Sequence, residues 1–123
     1  MKHIVFLLTI LASTSISAAG LSASGKVGII STFSKHSYEN GGHVNWREYI
    51  NFSLQGVTTL GNCATNTTYG GPLFVISKDD TASLSVLLAS KMADKDVEIF
   101  VYDDNFKDGA SSGYCVVDIV RAI

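Results

Sequence analysis

The chain has 123 residues, a formal net charge of −2 and 16% charged side chains, a length that suits one domain with a modest core. Its 9 Lys and Arg residues form no stripe or block, which argues against nucleic acid as a partner, because phosphate binding rests on clustered basic side chains. Two cysteines without paired short spacings exclude the usual zinc sites, and the lack of a C-x-x-C motif argues against thiol–disulfide chemistry.

Lys2 and His3 give a short positive start. Ile4 to Ala12 is apolar apart from Thr9, and small residues follow from Ser13 to Gly20. This is the pattern of a secretory signal, with cleavage expected after Ala19. The alternative, a membrane anchor, needs roughly 20 apolar residues, and this run is less than half that. The expected organisation is a signal peptide over 1–19 and one domain over 20–123, secreted or periplasmic. No second long apolar run follows, so no transmembrane segment is expected.

Gly20 to Gly25 is small and polar and reads as a flexible lead-in. Lys26 to Phe33 is a first strand. Asn40-Gly41-Gly42 marks a turn. From Val44 to Leu54, Val44, Trp46, Ile50, Phe52 and Leu54 alternate with Asn45, Arg47, Tyr49, Asn51 and Ser53. Such period-two patterning predicts a long strand with one dry and one wet face, with Glu48 the one misfit on the dry side. Gly56 to Gly71 reads as a polar loop containing Cys63. Pro72 to Ser77, with Leu73, Phe74, Val75 and Ile76, reads as a short buried strand. Asp79 and Asp80 supply helix-cap chemistry, and Leu84, Leu87, Leu88 and Met92 recur at helical spacing, predicting a helix from about Thr81 to Ala93. Val97 to Tyr102 is a strand, Asp103 to Gly113 a polar loop, and Tyr114 to Ile123 a final strand.

The order is three strands, one helix, two strands. That predicts a mainly β fold, a five-stranded OB-fold barrel with its helix between strands three and four. In an exported chain the cysteine pair reads as a Cys63–Cys115 disulfide closing a loop of about 52 residues. The chain-entropy account gives such a loop roughly 4 kcal/mol, a large share of a small domain's stability.

Phe52-Ser53-Leu54-Gln55-Gly56, the following Cys63, the Ser83-Leu84-Ser85-Val86-Leu87-Leu88 helix and the Val97–Tyr102 strand resemble the B subunits of the pertussis-like and subtilase-cytotoxin-like toxins. The Leu73–Lys95 stretch is equally similar to small stand-alone bacterial proteins of the same layout. The resemblance implies a non-catalytic binding module for cell-surface glycans, a homopentameric ring and a toxin A subunit as partner. It also implies that a serine beside the first strand, matched by Ser24, and the end of the second strand, here Gln55, contact the sugar. The toxin subunits carry a carboxylate at the latter position and a cysteine where this chain has Ser53.

Trp46 falls on the dry side and is expected in the core rather than against a sugar. Tyr49 and Arg47 fall on the wet side, either as solvated strand surface or as a sugar platform with Asn45, Asn51 and Gln55. Phe100, Tyr102, Val116 and Val120 form a second apolar face, to be covered by helix and loops or by another subunit. Asp79-Asp80 and Asp103-Asp104 are expected as helix cap and solvated loop rather than a cation site. His36 and His43 lack a third ligand. No catalytic constellation is evident: no serine sits in a G-x-S-x-G elbow, and neither enzyme activity nor any cofactor or metal is expected. The alternative is an exported structural or protein-interaction module without a sugar ligand.

Overall fold

The computed structural model describes residues 20–109 and 112–123, so the expected signal peptide lies outside the described residues. In chain order the elements are β1 (Gly20–Thr32), α1 (Lys35–Asn40), a 3-10 turn (Val44–Trp46), β2 (Tyr49–Leu54), β3 (Thr65–Asn66), a second 3-10 turn (Thr67–Tyr69), β4 (Gly71–Pro72), β5 (Phe74–Ser77), α2 (Thr81–Met92), β6 (Asp96–Phe106) and β7 (Cys115–Ala122). Strands β1, β2, β5, β7 and β6 close a barrel in that order, while β3 and β4 pair separately. This is the expected OB-fold-type barrel, with α2 between its third and fourth strands.

β1 is longer than its composition suggests. Its first half, Gly20 to Lys26, pairs antiparallel with β6, and its second half, Val27 to Thr32, pairs with β2. The lead-in expected to be flexible is therefore strand. Leu21 and Ala23 pack against the core while Ser22 and Ser24 face out. Pairing with β6 overrides the weak β-propensity of these small residues. One strand serves two neighbours because a bulge bends it between Val27 and Ile30. The Ile29 N–H at the bulge donates to Ser53 Oγ at 3.1 Å. A Cβ at Gly28 would stand 2.5 Å from that hydroxyl, so only glycine admits the contact.

The long strand expected over Val44–Leu54 is half its predicted length. Trp46 N–H donates to His43 O and Arg47 N–H to Val44 O, so this stretch curls into a 3-10 turn and leaves Val44 61% exposed. Its alternation matches a strand by coincidence. Only Tyr49–Leu54 is strand, and its second face is not wet: Asn51 and Ser53 are as buried as Ile50, Phe52 and Leu54.

Helix α2 begins at Asp80, whose Oδ1 accepts from Ser83 N–H at 3.1 Å, as the acidic cap predicts. It packs across β1, β6 and β7 through Leu84, Val86 and Leu87. Leu88 and Met92 belong to the expected apolar stripe but face away, Met92 being 87% exposed. β6 continues four residues past its expected end. Val97, Ile99, Val101 and Asp103 form one inward row, so Asp103 is buried rather than in a solvated loop. Its Oδ2 accepts from the Asn62 backbone and side chain at 3.2 and 3.1 Å.

The Cys63–Cys115 disulfide is formed, with Cα atoms 5.3 Å apart. It lies at the weakest seam of the barrel. β5 and β7 run parallel and share one register pair, Val75 with Val116. Beside it, Ala64 N–H donates to Gly113 O at 2.7 Å.

Replacing both cysteines with serine is expected to lower unfolding stability by up to about 4 kcal/mol in urea denaturation, through loss of loop closure. Leu87→Ala removes a fully buried side chain and is expected to lower it by about 2–5 kcal/mol in the same measurement.

Candidate aromatic site at the loop end of the barrel

Two connections meet at one end of the barrel: residues 33–48 between β1 and β2, and residues 107–114 between β6 and β7. In OB folds these are the loops that flank the ligand face. Here the first is folded by its own hydrogen bonds. Ser34 Oγ caps α1 by accepting from Ser37 N–H, and the N–H groups of Gly41 and His43 both donate to Ser37 O. A 2.8 Å hydrogen bond joins Ser37 Oγ and His43 Nδ1.

This scaffold places aromatic rings side by side. Trp46 stacks on Phe33 at 5.2 Å and 26°, and meets Tyr114 of the other loop at 5.7 Å. His43 lies 5.1 Å from Phe33, tilted at 38°. Phe33, Trp46 and Tyr114 are all half-buried, each keeping part of its surface in solvent. Trp46 is thus in neither the dry strand row nor the core, because the 3-10 turn swings it onto the loop end.

Beneath the indole sits Lys107. Its side chain is 2% exposed, with Nζ 4.5 Å from the Trp46 ring centroid and 5.1 Å from that of Tyr49. Both distances fall within the range of about 6 Å where a ring face attracts a cation. The neighbouring Asp108 carboxylate pairs with the ammonium and is itself 37% exposed. Asp108 adopts φ +56°, a left-handed conformation that Asp tolerates better than most residues. The Lys107 backbone is held by its N–H to Tyr114 O at 2.7 Å and by its carbonyl, which accepts from Ser112 Oγ.

The four residues expected to hold a ligand do not converge. Tyr49 and Arg47 stand at the aromatic end, Tyr49 against Lys107 and Arg47 with its guanidinium 5.5 Å above the Tyr38 ring. Ser24 and Gln55 stand at the opposite end of β2, six residues or roughly 20 Å along the strand. There Gln55 N–H donates to Lys26 O, and Ser24 pairs with Glu98, whose carboxylate accepts from Arg121. Asn51, two residues beyond Tyr49 on the same strand, is 4% exposed, and its Oδ1 is buried without a hydrogen-bond partner among the described residues.

Phe33, Tyr114 and Lys107 were not singled out from the sequence. The available signal was their position: aromatics flanking two loops at the ends of strands. Among the described residues no group of three His, Cys, Asp or Glu side chains is placed to hold a metal. A shallow depression of about 310 Å³ by β3 and β4, lined by Thr58, Thr65, Asn66, Thr67, Gly70 and Gly71, contains no charged group. No helix among the described residues is long and apolar enough to cross a membrane. No protein-family model matches the chain, and no curated protein or solved structure matches it.

Because Lys107 is buried against the Asp108 carboxylate, the two members of the pair should respond differently in urea denaturation. Lys107→Met, which keeps length and removes the charge, is expected to leave stability within about 1 kcal/mol. Asp108→Asn, which strips the ammonium of its counter-ion, is expected to lower it by about 1–2 kcal/mol, the half-exposed carboxylate limiting the loss.

Proposed function

We propose that the protein is an exported, non-catalytic binding module that recognises glycans through the Phe33–Trp46–Tyr114 cluster. The observation that carries this reading is the meeting of half-exposed aromatic rings from both loops that flank the ligand face in OB folds. A sugar buries the C–H face of its ring on an aromatic side chain and offers its hydroxyls to polar neighbours. Asn45, Arg47 and His43 are exposed beside the cluster and supply such partners. The rings sit on short hydrogen-bonded turns, so little ordering is required on binding. The disulfide supports export to an oxidising compartment, secreted or periplasmic.

A second reading, a protein-interaction module, is favoured by a different surface. On the outer side of β6 and β7, Phe100 meets Tyr102 edge to face at 5.3 Å and pairs in register with Ile119, and both Tyr102 and Ile119 are exposed. A pentameric ring of the toxin-subunit kind would use such a face.

A glycan array probed with the folded domain is expected to give binding that Trp46→Ala weakens at least tenfold. Array binding that survives Trp46→Ala would move the site elsewhere. No binding to any glycan by a folded protein would favour the interaction module.

A further inference from the structure

The aromatic end already holds a cation, supplied by the chain itself. The Lys107 ammonium lies against the faces of Trp46 and Tyr49 and is paired with Asp108. A buried ammonium is costly unless it is surrounded by such partners, so these three side chains form a cage suited to a positive charge. We propose that this cage is the binding site for a cationic amino sugar, whose ammonium replaces that of Lys107. The proposal rests on the glycan-binding reading above and names the class of sugar.

The exchange is like for like. Incoming and outgoing groups are both primary ammonium ions, so the ring contacts and the ion pair with Asp108 are retained. The released Lys107 side chain regains its hydration and its rotamer freedom. The Lys107 backbone stays bonded to Tyr114 and Ser112 while its side chain swings out from under the rings.

A second polar group lies on the same strand face. Asn51 Oδ1 is buried, has no partner among the described residues, and lies roughly 7 Å along β2 from Tyr49 on the same face. A buried acceptor without a donor is costly. A hexosamine carries hydroxyl donors on carbons adjoining the amine-bearing one, so it brings O–H groups to the polar side chains beside the caged ammonium. An anionic sugar fits poorly, since the ring faces and Asp108 both present negative charge.

The test is calorimetric titration at about pH 6, where amines are protonated. The probes are a glucosamine tetramer, its N-acetylated counterpart, a neutral glucose tetramer and a capped lysine tripeptide. The wild-type chain is expected to bind the glucosamine tetramer at least tenfold more tightly than the other three. Asp108→Asn should weaken that binding about tenfold, and Lys107→Ala, which empties the cage, should tighten it about tenfold. Equal affinity for the free and acetylated sugars overturns the proposal while leaving the glycan reading intact. A lysine peptide that binds as tightly as the sugar overturns it in favour of a peptide ligand, and failure to bind any of the three saccharides overturns the proposal, while the glycan reading is decided on the array. The preference for a free amine is read on the wild-type chain, so the test does not depend on a variant that folds.

Discussion

The barrel depends on the covalent tie at its thinnest seam. Where β1 meets β6 and β6 meets β7, long antiparallel ladders hold the wall together. Between β5 and β7 the strands run parallel and share a single pair, Val75 with Val116. Cys115 is the residue before Val116, and its bridge to Cys63 anchors the segment that leads into β5. Two polar contacts reinforce the same anchor: Asp103 receives both Asn62 donors, and Gly113 receives the Ala64 N–H. A loop that would otherwise be free to drift is thereby fixed to β6 and to the start of β7. Closure of the barrel and placement of the 107–114 connection therefore have a common cause.

The other constraint is the bend in β1. In this barrel β1 pairs with β6 along its first half and with β2 along its second, so it must bend sharply between its two neighbours. Gly28 allows the turn and Ser53 satisfies the amide that the turn releases. This explains why Ser53 is buried on a face that alternation reads as wet. Its hydroxyl replaces a ladder hydrogen bond lost at the bulge, and a side chain without an acceptor would leave that amide unpaired.

How much of this was legible in the sequence follows from which signals are local. The helix was, because Asp80 and the Leu84–Leu87 spacing act within a few residues. Strand order was, and it specified the barrel. The disulfide was, because only one pairing of two cysteines exists. Composition misleads in two stretches where backbone pairing decides. Gly20–Gly25 is strand because β6 lies beside it, and Val44–Trp46 is a turn because Ser37 O gathers the amides of Gly41 and His43. Alternation in apolar character cannot distinguish a strand from a curled loop whose apolar residues find other neighbours. Of the four residues expected to contact a ligand, Tyr49 and Arg47 stand at the aromatic end, while Ser24 and Gln55 stand a strand's length away. Phe33, Tyr114 and Lys107 come together from segments about 70 residues apart or more, a proximity that only the closed barrel creates.

On the proposed reading, burying Lys107 next to Trp46 and Tyr49 places structure and recognition in the same contacts. A chain that needed only stability at this end would gain as much from an apolar side chain, because the cost of desolvating an ammonium offsets most of what its partners return. A cation adds directionality: it fixes the two ring faces toward one point and holds the Asp108 carboxylate there. The Tyr114 and Ser112 bonds keep the Lys107 backbone in place whichever way its side chain turns. The loop end is thus organised before any ligand arrives. The rings that would stack on a sugar are already positioned by the same contacts that close the fold, so the ordering cost of binding is met in folding rather than at the encounter.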